Sequence, residues 1–580
     1  MRSSFAEAVE WLLGPETASA SPFGSGYTLG TSILTGSANP ILAESSTAAS
    51  IYPSAYPSAR PPTHLWARWI FLRALGLIYF SAFYSLVFQI RGLIGPGGIL
   101  SARDYLDAVS HALPGVQQFW YAPTFLWMGT SDRALMILCW IGLLASVLLF
   151  VNVFPRGMLV VCFACFLSFV CVAQDFSSYQ SDGMLLEAGF ISFFLAPGGF
   201  WPGFGANHAP SRASRFLLLW EWFRIYFESG VAKIASGDKA WRQLTAMDDY
   251  YQNGPLPTWI GWYVQHFPHW FHASTSFLTL AIELVLVWML FLPRQFRIIC
   301  FCIVTPLEIG IILTANYAFL NYIVLSLGFL LLDDRFLEKI LPRGFRNRVE
   351  QTREPVARGA QTKTDGSWRA RLASRMAPVR MSIAAICLGL VFYSATTQLL
   401  WMFIPELPLP VKPIGMLDPF RIANRYGLFA VMTHQRYEIE FQGSPDGKTW
   451  LTYPFRYKPQ DLRKPPGIYA PYQPRFEWNL WFASLGSWRD YRFVVWTEEQ
   501  LLQNQPDVLS LFAANPFSGG PPFQVRAMIY QYWFTDRATK RTTGAWWRRE
   551  KLGEYAPPLE RESDGKIVLL DVPIVPAPSD

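Results

Sequence analysis

The chain has 580 residues, 51% of them hydrophobic and only 16% charged, whereas soluble domains carry about 25% charged residues. That shortfall excludes an ordinary water-soluble fold for the whole chain and points to lipid. The formal charge of +7 is not arranged as a basic stripe with aromatic platforms, which excludes nucleic acid as a partner.

Residues 1–62 are rich in Ser, Ala, Pro and Gly and are expected to form a disordered N-terminal tail without a conventional signal peptide. A polytopic membrane domain is expected over 63–334. Its apolar runs lie at 66–90, 134–154, 157–174, 274–292, 296–314 and 316–332, with a last one at 381–404. About 20 helical residues cross the hydrocarbon core, so most of these runs are predicted transmembrane helices. Residues 184–196 form a shorter run, and residues 215–234 carry Glu221, Arg224, Glu228 and Lys233; both fit a re-entrant, an interfacial or a bundle-interior segment. Residues 101–127, with Pro, Trp, Tyr and few charges, read as an interfacial hairpin. GPGGIL at 95–100 lacks the spacing that cradles phosphate.

All seven cysteines lie within or beside apolar runs, so no disulfide framework is expected in the soluble part. Cys162 and Cys165 make a CxxC inside VVCFACFLSFVCV and read as small buried hydrophobes.

Between residues 335 and 380 twelve Lys or Arg face Glu338, Glu350, Glu354 and Asp365, the mark of a basic cytoplasmic loop. The last transmembrane helix, 381–404, then carries residues 405–580 to the lumen, periplasm or exterior. Arg60, Arg68 and Arg73 at the first span point to a cytoplasmic N-terminus and an odd number of crossings.

Beyond about residue 410 alternation replaces apolar runs. In RYEIEFQGSPDGKTWLTYPFRY, Tyr437, Ile439 and Phe441 point one way and Glu438, Glu440 and Gln442 the other, a half-buried strand. Pro445, Asp446 and Gly447 supply a turn into a returning strand at Trp450 and Thr452. YRFVVWTEE and FQVRAMIYQYWFT read as further strands. The fold class is therefore a multi-pass α-helical membrane bundle followed by a C-terminal β-sandwich-like soluble domain.

Several strings carry a resemblance: FLRALGLIYFSAF, SYQSDGMLLEAGF, RIYFESGVAKIASGDKAWRQLTAMDDYYQNGPLPTWIGWYVQHFPHWFH, ANRYGLFAVMTHQRYEIEFQGSPDGKTW and YKPQDLRKPPGIYAPYQPRFEWNLWFASL. In this order, over about 66–560, the chain resembles the lipase maturation factors. The resemblance implies a factor of the endoplasmic reticulum membrane that brings secreted homodimeric lipases to their active state, with the C-terminal domain contacting the client. It implies no cofactor and no catalytic turnover. The chain has no Asn-x-Ser/Thr sequon and no retention tetrapeptide at its end, so a bacterial inner membrane with a periplasmic C-terminal domain also fits.

Ionisable side chains at bilayer depth cost several kcal/mol each unless paired or hydrated. On one helix Glu221, Arg224 and Glu228 fall at i, i+3 and i+7 and share a face, so an Arg clamped by two carboxylates is expected, with Lys233 near the helix end. This cluster reads either as a self-satisfied structural network, or as the acid or base of a membrane enzyme acting on a lipid or polypeptide, or as charges on an interfacial helix. Asp175, Asp182 and Glu187 form a second acidic group, which fits the same polar cavity as the first cluster. His266, His269 and His272 are interrupted by Pro268, which disfavours a shared metal site. No nucleophile elbow, phosphate loop or dinucleotide fingerprint is present, so catalytic, cofactor-binding and metal residues are all expected to be absent. In the soluble domain Trp478, Trp481, Phe476 and Phe482 fit either the core or an exposed client-binding patch. Trp546 and Trp547, beside Arg548 and Arg549, are a second candidate client-binding surface. The expected partners are the lipid bilayer and a secreted client.

Overall fold

A computed structural model describes residues 64–206, 208–340, 368–562 and 564–570. The tail 1–62 and most of the basic loop lie outside these residues. Helix α1, Leu65–Val87, packs along α2, Asp132–Phe150. Small residues set that crossing: a Cβ on Gly76 would sit 2.9 Å from the Phe150 backbone nitrogen, and one on Gly142 would strike the Phe83 ring. Between these helices Ala102–Ala112 and Gln117–Tyr121 are short helices. Next come α3, Pro155–Val170, and α4, Gln180–Leu195. Helix α4 has 16 residues, too short to span a bilayer at 1.5 Å per residue, and is enclosed by its neighbours. Helix α5, Arg212–Ala235, buries Glu221, Arg224, Glu228 and Lys233. Both segments left open by the sequence are therefore bundle-interior helices.

Helix α6, His269–Leu284, begins directly after Pro268 and continues as a 3-10 turn to Phe291. Helix α7, Arg294–Thr314, contains Pro306, and α8 is Leu320–Gly328. Helix α9 runs from Trp368 to Trp401, starting thirteen residues before the apolar run, because Arg, Ala, Leu and Met propagate a helix without needing lipid. Among the described residues five helices are long and apolar enough to cross a membrane.

The C-terminal domain is built on one six-stranded sheet. Strand β1, Arg436–Ser444, pairs antiparallel with β2, Leu451–Thr452, through the expected hairpin, with Gln442 opposite Thr452 and Gly447 at φ +72° in the turn. Helices α10, Arg475–Ser484, and α11, Phe493–Leu502, follow. Strand β3, Gln524–Phe534, lies antiparallel to β1 from Gln524 to Tyr532 and, on its other side, to β4, Trp547–Glu554, and β5, Leu559–Arg561. Strand β6, Ile567–Leu569, closes the edge beyond β5.

Two expectations are corrected. YRFVVWTEE is helical: Phe493, Val494, Thr497, Glu498, Leu501 and Leu502 are buried, a period near four rather than two. The layer over the sheet is thus helical, with Phe441 on β1 stacked on Phe476 of α10. Strand β1 is also buried on both faces, Glu438 and Glu440 included. Its charges are matched inside: Glu438 pairs with Arg436 and, at 2.8 Å, with Lys458, while Glu440 accepts from Tyr532 at 2.6 Å and from Arg549.

Candidate functional site

The charged face of α5 does bring its residues together, but with different partners from those the spacing predicts. The Arg224 guanidinium, fully buried, pairs with Glu187 of α4 and stands 3.9 Å from Glu228. Glu221 is not part of the clamp; it is buried with neither carboxylate oxygen hydrogen-bonded. The i, i+3, i+7 pattern identified the face, while the second carboxylate comes from a neighbouring helix.

What this face holds is a length of backbone. Arg224 donates to the Asn424 carbonyl at 2.6 Å. Glu187 accepts from the Asn424 amide at 2.9 Å and from the Tyr426 hydroxyl at 2.8 Å. Glu228 accepts from the Tyr426 amide at 2.7 Å. One turn on, Ser229 accepts from the Leu428 amide at 3.0 Å, and Lys233 donates to the Leu428 carbonyl and to Glu283 of α6, both at 2.8 Å. Ser236 donates to the Ala430 carbonyl at 2.8 Å, and Asp238 accepts from the Met432 amide at 2.7 Å. Residues 424–432, entering the β-rich domain, are therefore gripped along α5 by a ladder of side chains. Buried backbone groups need such partners, and the polar face supplies them.

A second lock lies beside it. Arg475 of α10 donates to Asp182 of α4 through both terminal nitrogens, at 2.7 and 2.8 Å, and to the Phe176 carbonyl at 2.7 Å. Tyr179 stacks on Trp478 at 5.2 Å between ring centres. Asn316 accepts from the amides of Tyr469 and Ala470 at 2.6 and 2.9 Å. Asn424, Tyr426 and Arg475 were not singled out from sequence; nothing local marks a residue whose partner lies some 200 to 300 positions away.

The aromatic candidates of the soluble domain pack inward. Trp478, Trp481 and Trp547 are buried, as is Phe476. Trp481 donates to the Asn253 carbonyl at 2.9 Å. Trp546 is half-buried between Trp262, 5.2 Å away, and Lys540, 3.5 Å above its ring. Trp478 and Trp481 thus dock on residues of the membrane part, while Phe476 packs on Phe441 and Trp547 on Tyr532 and Phe534 inside the β-rich domain. His266, His269 and His272 bond separately, to the Thr535 carbonyl, Asp248 and the Phe267 carbonyl. Among the described residues no group of His, Cys, Asp or Glu is placed to hold a metal ion, and all seven cysteines are free thiols. Outside the membrane part, Glu477 accepts the amides of Arg456, Tyr457 and Lys458 at 2.9, 2.9 and 2.6 Å; burial still holds its carboxyl above the usual range.

This architecture is that of a multi-pass membrane protein with a β-rich domain keyed into its helices. Residues 66–339 match the lipase maturation factor transmembrane domain, and residues 422–557 the lipase maturation factor C-terminal domain. Lipase maturation factor 1 of Bos taurus is 31% identical over 528 residues, covering 87% of this chain and 90% of the relative. The Homo sapiens lipase maturation factor 1 is 30% identical, covering 87% and 90%, and Homo sapiens lipase maturation factor 2 is 30% identical, covering 84% and 82%. No solved structure matches the chain significantly. The chain belongs to the lipase maturation factor family.

Proposed function

We propose that this chain is a maturation factor for secreted homodimeric lipases, resident in the endoplasmic reticulum membrane or a bacterial inner membrane, acting through its C-terminal domain on the non-cytoplasmic side and without chemical turnover. The observation that carries the reading is that both family domains occur in one chain over nearly the full length of relatives named as maturation factors. The basic residues of 335–380 support the orientation, since such loops stay cytoplasmic. The α5 cluster supports a structural role over the membrane-enzyme alternative: Arg224, Glu228 and Lys233 spend their hydrogen bonds on residues 424–428 and on neighbouring side chains.

Truncation ahead of the β-rich domain would remove residues 424–432 and strip that face of its partners, so surface variants are the sharper test. The exposed β4 residues Arg548 and Lys551 are reversed to Glu, and the chain is co-expressed with a secreted homodimeric lipase in a host lacking its own factor. The expected result is unchanged membrane protein level with lower lipase activity per mass secreted. No effect of even the wild-type chain on that specific activity would end the lipase reading.

A further inference from the structure

A cavity of about 470 Å³ lies inside the membrane part among α5, α6, α7 and α8, and Leu428 and Phe429 close one side of it. That volume is in the range of sites for small organic ligands, about 300–1,000 Å³. Its wall is mostly apolar, with the hydroxyls of Ser229, Thr275 and Thr279, the Lys233 ammonium and two carboxylates set into it. Glu308 of α7 is satisfied, accepting from the Tyr226 hydroxyl and from Asn321 at 2.8 Å. Glu283 is not: Oε1 takes the Lys233 ammonium, and Oε2 is buried with no donor. A buried acceptor left empty is unfavourable, so the site is built for one more hydrogen-bond donor.

The way in is lateral. Leu278 of α6 and Leu313 of α7 line the cavity and are also 43% and 44% exposed on the apolar outer surface. Pro306 lines it too and cannot donate within α7. A molecule dissolved in the bilayer therefore reaches the cavity between α6 and α7 without crossing water.

We propose that this cavity binds a neutral membrane lipid whose head is a hydroxyl, with the hydroxyl donating to Glu283 Oε2 and the hydrocarbon filling the apolar wall. Charge selects the head. Two carboxylates face one ammonium that is already matched, so a phosphate head would meet net negative charge, while an alcohol supplies the missing donor without adding any. Because Leu428 and Phe429 belong to the segment gripped by α5, the bound lipid touches the same strap that docks the β-rich domain. The proposal does not depend on which client is matured.

The test uses the full chain in phosphatidylcholine nanodiscs with a photoactivatable diacylglycerol, the labelled peptides being mapped by mass spectrometry. Labelling is expected within 275–283 and 303–314, competed by unlabelled diacylglycerol or a polyprenol and at least about tenfold more weakly by phosphatidic acid, whose anionic phosphate meets the two carboxylates. Whichever of the two neutral competitors is stronger identifies the source of the hydroxyl lipid. Gly310→Phe fills the cavity, since a Cβ there meets nothing within 4 Å, and is expected to abolish labelling with its melting temperature kept. Ile309→Phe, on the exposed face of α7, should label like the parent. Leu278→Trp at the mouth serves as a second block should Gly310→Phe fail to fold. Equal competition by phosphatidic acid overturns the hydroxyl head, and equal labelling of the blocked and control variants overturns the cavity.

Discussion

Arg475 and Asp182 stand 293 positions apart in the chain and meet in a buried two-pronged ion pair. One belongs to α10 of the β-rich domain, the other to the short interior helix α4 of the membrane part, so the pair ties the two halves together. Removing one partner of such a pair leaves a buried charge uncompensated and costs about 3–5 kcal/mol. Arg475→Leu should therefore lower the unfolding temperature of the detergent-solubilised protein and open the C-terminal domain to protease. The double change Arg475→Leu with Asp182→Asn should recover part of the loss. Arg475→Lys should not, because an ammonium lacks the planar fork that gives Asp182 two parallel bonds while also reaching the Phe176 carbonyl. A single variant with parental stability would show that the lock contributes nothing.

Gly76 gives a prediction about the bundle itself. Its missing side chain lets α1 approach the backbone of Phe150, 2.9 Å from where a Cβ would sit, the close contact that small residues permit between membrane helices. Backbone cannot swing aside as a side-chain tip can. Gly76→Val should force α1 and α2 apart at a cost of about 1–3 kcal/mol, read as reduced yield of monodisperse protein and a lower melting temperature. Gly389 has nothing within 4 Å of its Cβ position, so Gly389→Val is the control expected to behave as parent.

The β1–β2 turn carries a pH signature. The Asp446 carboxylate accepts the amides of Lys448 and Thr449 at 2.9 and 2.7 Å, and these bonds hold its pKa at about 2, below the ordinary 3.8. A carboxyl whose folded pKa is depressed contributes stability above its unfolded pKa and loses it as pH falls toward the folded value. Asp446→Ala should thus be less stable than the parent at pH 7, with the gap closing between about pH 4 and pH 2. Thermal unfolding at those pH values measures it, and a gap that persists unchanged at pH 2 would refute the assignment.

Much of this plan was legible beforehand, and the misses share a cause. Long apolar runs, the β1–β2 hairpin and β3 announce themselves through local period and turn residues. The charged face of α5 did so as well, since Arg224 and Glu228 fall one turn apart. What spacing cannot supply is the partner from another element: Glu187 for Arg224, Asn424 for both. The strand expected at YRFVVWTEE failed because nine residues are too short a window; the buried pairs Phe493–Val494, Thr497–Glu498 and Leu501–Leu502 show their helical period only when the segment is extended to Leu502. The aromatic residues of α10 and β4 fit a client surface in sequence because sequence carries no record of the distant residues that cover them, Tyr179 on Trp478 and Asn253 on Trp481 among them.

Glu221 and Glu187 separate the structural reading of the cluster from the enzymatic one. Glu187 is fully engaged, by Arg224, by Asn424 and by Tyr426, and Glu187→Leu should destabilise by about 3–5 kcal/mol because Arg224 is left buried and unmatched. Glu221 has neither oxygen hydrogen-bonded, so only the charge of nearby Arg224 offsets the cost of its burial. Glu221→Leu should keep or raise the melting temperature and leave lipase maturation at the parental level in co-expression. Were Glu221 instead the acid or base of a membrane enzyme, the same substitution would abolish function in a protein that folds and accumulates normally. That combination of full stability and lost activity would turn the cluster from a clamp into an active site.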